Sequence, residues 1–259
     1  MAARAMWKGV IRLEDVRVPV KLYAAVEDRS VHFRLLHAKD HAPVKQALVD
    51  PHTDEVVPYA EARRAYVTED KDLVILDDAE LAGLEPAPSR DIHIHQFVPP
   101  QAVDHRWYRR PYYLGPDDGA QEAFAALTQA LADLDREGLA SWVMRKKAYL
   151  GALRLHAGYP ILVALRYAEE IVAVEDLPAP QGRPPDQREL AMARQLIDML
   201  AADFEPAEYH DEYRARVEAL IAAKAKGDVV AITPPRKPRP AEDLTRALEA
   251  SLKQERKRA

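Results

Sequence analysis

Three adjacent cations, Arg145, Lys146 and Lys147, interrupt the apolar run SWVMRKKAYLGALRLHAG, and a second pair, Arg109 and Arg110, stands directly before the aromatic segment PYYL. Fixed positive charge at the ends of rigid strands suits a polyanion. Each phosphate that is neutralised releases condensed counterions, which gives affinity without reading base sequence. The formal net charge of the chain is −5, which argues against an anionic partner. The local distribution argues for one, because a ligand feels the nearest charges most. No Asp or Glu occurs between Glu137 and Glu169, whereas Arg145, Lys146, Lys147, Arg154 and Arg166 all do. Residues 224–259 carry ten Lys/Arg against five Asp/Glu, net +5, which leaves −10 for the remainder (27 against 37). No platform of stacking aromatics and no recognition-helix pattern is evident, so contact with a sugar-phosphate backbone is expected rather than base readout.

Other chemistry is poorly supported. His37 and His41 in HAKDH stand four apart, a spacing that can hold a metal on a helix, but their surroundings read as strand end and loop. His93 and His95 would share one face of the strand RDIHIHQFV, without an obvious third ligand. Asp77/Asp78 and Asp117/Asp118 read as turn formers. The chain lacks GxGxxG, a Walker A loop, GxSxG and HExxH, and it has no cysteine. No cofactor, no metal and no catalytic activity is expected. A metal-dependent nuclease built on the histidine pairs is one rival reading. A barrel-type protein-interaction scaffold without end-specific DNA binding is the other.

The elements that must position the cations are mostly strands. KGVIRL, VPVKLYAAV, SVHFRLLH, the strand ending in VILDD, RDIHIHQFV and RRPYYL are rich in β-branched and aromatic residues, and several alternate. A helix over roughly 119–137 follows, with Phe124, Leu127, Leu131 and Leu134 as one stripe and Gly138 as its C′ residue. Strands return in LASWVMRK and YPILVALRYA, joined by a hairpin near HAGYP.

After the linker LPAPQGRPP the pattern is helical. DQRELAMARQLIDMLAAD opens on Asp186 and Glu189, a variant of the capping box, with Leu190, Ala193, Ile197 and Leu200 as its apolar face. PAEYHDEYRARVEALIAAKAKG places Pro206 in the first turn, Gly227 at the stop, and Tyr209, Tyr213, Val217 and Leu220 along one side. A second linker, TPPRKPRP, leads to a short basic amphipathic helix. The opening MAARAMWKGVIRL has no stretch apolar enough for a signal peptide, and no segment approaches the ~20 apolar residues of a membrane helix. The expected location is the cytoplasm, with no membrane association.

Several of these segments, in this order, resemble the bacterial Ku family, the DNA-end-binding proteins of non-homologous end joining. AMWKGVIRLEDVRVPVKLYAAVEDRSVHFRLLHAKD is similar to the family's start, and VPYAEARRAYVTEDKDLVILDDAELAGLEPAPSRDIHIHQFV to its middle. RWYRRPYYLGPDDGAQEAFAALTQAL, ASWVMRKKAYLGALRLHAGYPILVALRYAEEI and the helices after residue 186 continue the likeness over more than 200 residues. The family implies a mixed β/α fold, a Ku-core β-barrel with an arching bridge insertion and a helical C-terminal arm. Two copies form a ring-shaped homodimer through which a double-stranded DNA end threads.

Carried over by position, the resemblance implies a core over residues 1–176 with the bridge at about 37–65, an arm over 186–227, and a basic tail over 228–259. It implies DNA-binding positions at Arg34, Lys39, Lys45, Arg109, Arg110, Arg145, Lys146, Lys147, Arg154 and Arg166. The arm would embrace the partner subunit. The tail resembles the family's D-L-x-x-A-L-x-x-S-L segment, here Asp243, Leu244, Ala247, Leu248, Ser251 and Leu252. Leu244, Leu248 and Leu252 are the expected contact for an ATP-dependent DNA ligase of end joining. The protein would work in double-strand-break repair on the nucleoid.

Overall fold

A computed structural model describes residues 4–179, 181–227, 248–249 and 251–253. The chain divides into two units, the first made of residues up to 29 and 34–176, the second of residues 30–33 and those from 177 onward.

The first unit is built on a closed seven-stranded barrel. Its strands are β1 (Trp7–Leu13), β2 (Val16–Ala24), β7 (Asp91–Val98), β8 (Tyr108–Pro116), β9 (Glu137–Met144), β10 (Lys147–His156) and β11 (Tyr159–Leu165). Around the barrel the order is β1-β2-β8-β11-β10-β9-β7. The circle closes where β7 lies parallel to β1, with Ile11 opposite Ile92. Closure leaves no free edge in the barrel to template aggregation. Alternation makes the core: Val18, Val20 and Leu22 of β2 point inward, as do Ala140, Trp142 and Met144 of β9. Trp142 stacks on Tyr149 at 5.2 Å between ring centres.

The helix expected after the PYYLGPDDG turn is α2 (Gln121–Leu134). Phe124, Leu127 and Leu131 pack on the core, but Leu134 is exposed. The helix ends at Asp135, whose φ of 46° is left-handed, and not at Gly138. Gly138 is already in β9, where a Cβ would sit 3.1 Å from the ring of Phe97. Crowding by the side chains of Phe97 and Ile94, rather than a helix cap, is what a larger residue would meet there.

Between β2 and β7 the chain leaves the barrel. Residues 25–90 hold two small antiparallel ladders, β3 (Leu48–Val49) with β4 (Val56–Val57) and β5 (Arg64–Val67) with β6 (Leu73–Leu76), then the short helix α1 (Asp78–Gly83). None of these residues is buried. Leu35, Tyr59, Tyr66 and Leu73 are each more than 60% exposed. The strand expected in SVHFRLLH does not form. Only an isolated bridge between Leu36 and Pro43 remains there, because no neighbouring strand offers it a ladder.

The second unit contains α3 (Gln187–Met199) and α4 (Glu212–Ala225). The capping box forms as read: Asp186 accepts from the Glu189 backbone at 2.8 Å, and Glu189 accepts from the Asp186 backbone at 2.9 Å. Glu189 is buried and also holds the Arg183 guanidinium. The apolar positions Leu190, Ile197 and Leu200 are exposed instead. α4 starts later than expected, after its N-cap Asp211. Pro206–Glu208 forms a separate 3-10 turn, and Tyr209 packs against Phe204 at 5.6 Å rather than on the helix. Gly227, with φ 88°, follows the C-cap as anticipated. Leu248 is half-buried and Leu252 is buried, while Leu244 lies outside the described residues.

Candidate nucleic-acid interface

Two of the three adjacent cations form a hairpin turn, and the third, Lys147, opens β10. Met144 of β9 pairs with Lys147 of β10, so Arg145 and Lys146 are the whole loop. Both have left-handed backbone, φ 51° and 64°. A two-residue loop with positive φ at both centres matches the twist of its strands, and Asn-Gly is its usual occupant. Long side chains there are uncommon and raise the energy of the turn by about 1 kcal/mol or more. The expected turn near HAGYP also exists, at Ala157 and Gly158, but it joins β10 to β11.

The turn projects its cations beside a second group. Lys146 Nζ lies 2.9 Å from Glu85 Oε2. Arg145 and Lys146 line a pocket of about 520 Å³ with Trp7, Glu85 and Arg90. Arg90 was not singled out as a site residue; it opens the segment RDIHIHQFV, and its carbonyl accepts from the Val10 backbone of β1 at 2.8 Å.

Arg109 and Arg110, both exposed, line one cleft where β8 carries a β-bulge. Tyr108 pairs with Leu165 and Arg110 with Ala164, so Arg109 is the extra residue on β8. Consecutive strand residues ordinarily point to opposite faces, and a bulge re-aims one of them. The result is a cleft of about 350 Å³ lined by Arg109, Arg110, Lys147, Tyr112 and Tyr149. Arg110 sits 5.8 Å from the centre of the Tyr112 ring. Arg109 lies 3.8 Å from Glu170. Burial pushes the Tyr112 phenol pKa up, although Arg110, Arg145 and Arg109 all favour its anion.

Arg154 and Arg166 are engaged with the protein. Arg154 Nε is 3.0 Å from Oε1 of the buried Glu137, and its guanidinium lies 5.2 Å from the Tyr108 ring centre. Tyr108 donates its hydroxyl to Glu137 Oε2 at 2.9 Å. Burial, followed by this hydrogen bond, pushes the Tyr108 pKa up to about 12. Burial also raises Glu137, against the pull of Tyr108 and Arg154. Arg166 Nη1 donates to the carbonyls of Arg106 and Tyr108, at 2.7 and 2.6 Å.

Arg34, Lys39 and Lys45 lie in the inserted segment, all exposed and outside its two ladders. Lys39 occupies the tight turn that His37 and Ala42 close at 2.8 Å. Neither barrel cleft includes these three. His37 contacts Asp40 at 2.9 Å, and His95, the extra residue of a second bulge, contacts Ser141 at 2.7 Å. Among the described residues no three His, Cys, Asp or Glu side chains could hold a metal together.

Residues 12–192 match the sequence profile of the Ku70/Ku80 beta-barrel domain. The chain is 36% identical over 255 residues to a Geotalea uraniireducens protein called "Non-homologous end joining protein Ku 2", covering 98% of this chain and 99% of that one. It is 34% identical over 259 residues to the Mycobacterium tuberculosis "Non-homologous end joining protein Ku", covering 96% and 95%. The Bacillus subtilis protein of the same name is 33% identical over 257 residues, covering 97% and 82%.

Proposed function

Because the chain belongs to the bacterial Ku family, we propose that it binds the ends of double-stranded DNA in non-homologous end joining, as a homodimeric ring, without reading base sequence. The observation that carries this is the concentration of Arg109, Arg110, Arg145, Lys146 and Lys147 at one end of a rigid barrel. Arg145 and Lys146 sit in the strained turn and Arg109 at the bulge, and all five are exposed. Backbones held by the barrel ladders leave only side-chain entropy to lose when these cations meet phosphates.

The dimer reading is supported by apolar surface left without cover. In the insertion Leu35, Tyr59, Tyr66 and Leu73 are exposed, and in the helical unit Leu190, Ile197, Leu200 and Tyr213 are. Soluble monomers rarely leave this much apolar surface in contiguous segments. In this reading residues 37–65, with Arg34, Lys39 and Lys45 on or beside them, form the bridge over the DNA, and the helices of 186–227 grip the second copy. The tail, through Leu244, Leu248 and Leu252, recruits an ATP-dependent DNA ligase. The protein works without a cofactor or catalysis of its own, in the cytoplasm on the nucleoid. Among the described residues no helix is long and apolar enough to cross a membrane.

The test is charge reversal at Arg145, Lys146 and Lys147 together. DNA binding is lost while the particle keeps twice the 29.2 kDa chain mass in sedimentation. Unchanged affinity with an unchanged salt slope removes the cations from the interface and favours the protein-interaction scaffold.

A further inference from the structure

The bulge that presents Arg109 and Arg110 needs something to hold it. The β8–β11 ladder stops at Tyr108 and Leu165. Beyond that point backbone carbonyls need donors from outside the ladder, because an unpaired one is unfavourable. The Arg166 guanidinium supplies the donors, bonding Arg106 and Tyr108 through one nitrogen. The Arg166 backbone also donates to the Trp107 carbonyl at 2.8 Å. From the other side the Tyr108 hydroxyl is tied to Glu137, and Arg154 closes that group by its ion pair and by lying over the Tyr108 ring. Tyr108 is thus fixed at its carbonyl and at its hydroxyl, one residue before the bulge.

We propose that Arg154, Arg166, Glu137 and Tyr108 are positioning residues, which hold the start of β8 so that Arg109 and Arg110 both face the phosphate backbone. This rests on the reading that Arg109 and Arg110 contact DNA. It assigns two conspicuous arginines an indirect role, and it gives a buried carboxylate a part in binding a polyanion.

The two roles separate in a double-mutant cycle, because a residue acting through another shows no effect once that other is gone. Affinity for a linear duplex is measured by fluorescence anisotropy for Arg166→Met, Glu137→Gln and Tyr108→Phe. Each is made in the natural chain and in an Arg109→Ala, Arg110→Ala background, with thermal unfolding recorded to confirm folding. Each change weakens binding by roughly fivefold in the natural chain, the scale of one hydrogen bond lost, and adds nothing in the double-alanine background. Glu137→Gln is the sharpest case, since it deletes a negative charge and simple electrostatics would strengthen binding. An additive loss for Arg166→Met, or tighter binding by Glu137→Gln, overturns the proposal. Should Arg166→Met fail to fold, Tyr108→Phe, which removes one hydroxyl, decides alone: an undiminished affinity refutes the role. If the double-alanine protein binds as well as the natural one, the DNA-contact reading fails first and this proposal falls with it.

Discussion

Arg145 and Lys146 are the two central residues of a single turn, both in left-handed backbone, and they fill a position that local chemistry would give to Asn-Gly. Strained residues persist where the surrounding structure over-determines them, and here the β9 and β10 ladders do so on both sides. The side chains are therefore kept at the expense of turn stability.

Replacing the pair by Arg145→Asn with Lys146→Gly separates stability from binding. The variant gains about 1 kcal/mol from a relaxed turn, seen as a raised Tm. Its DNA affinity falls, and the slope of log K against log salt shrinks by about 0.9 for each phosphate contact removed. A variant that is both more stable and fully active contradicts the assignment.

Two glycines make opposite demands. A Cβ at Gly151 would run into the Trp142 ring and lie 2.7 Å from the Val163 carbonyl, so Gly151→Ala destabilises the barrel by about 3 kcal/mol. Gly158 has open space around it but φ 78°, so Gly158→Ala loses about 1 kcal/mol through its backbone alone. Chemical denaturation of the two variants ranks them.

Asp117 joins β1, β2 and the end of β8. It lies 2.8 Å from Lys8 Nζ and 3.1 Å from Lys21 Nζ, and Lys8 first, with the Asp118 backbone and Lys21, holds its carboxyl well below the ordinary value of 3.8. A carboxyl depressed by folding stabilises above its unfolded pKa and loses that contribution as pH falls through its folded one. Asp117→Asn accordingly lowers Tm at pH 7, and the gap to the natural protein closes as pH drops below 3.8. High salt narrows the gap as well, because the pairs are solvent-accessible. A gap that persists unchanged at pH 2 assigns the loss to packing.

Deleting residues 231–259 leaves dimerisation intact and weakens stimulation of an end-joining ligase more than it weakens DNA binding. Ligation assays with equal protein loading check this, and undiminished stimulation removes the tail from the ligase contact.

Much of this was legible wherever a local rule matched the tertiary demand. β1 and β2 alternate cleanly, Asp186 and Glu189 spell a helix start, and Gly227 spells a stop. The turn at Arg145 was hidden because its residues are not turn formers; only pairing from both sides imposes that backbone. The bulge at Arg109 was hidden for a related reason, since a register slip belongs to two strands and is invisible in one. Arg154 and Arg166 carry the same charge in sequence as Lys147, and only their partners, Glu137 and two carbonyls, distinguish them. SVHFRLLH has strand composition but, among the described residues, no strand pairs with it beyond the Leu36–Pro43 bridge.

The most direct test of threading is a gel-shift competition. Labelled linear duplex is challenged with the same sequence unlabelled, either linear or as a covalently closed circle. A ring that loads from an end is competed by linear DNA and not by circles. Equal competition by circles means that the cations form an open surface patch, and contradicts end binding by a closed ring.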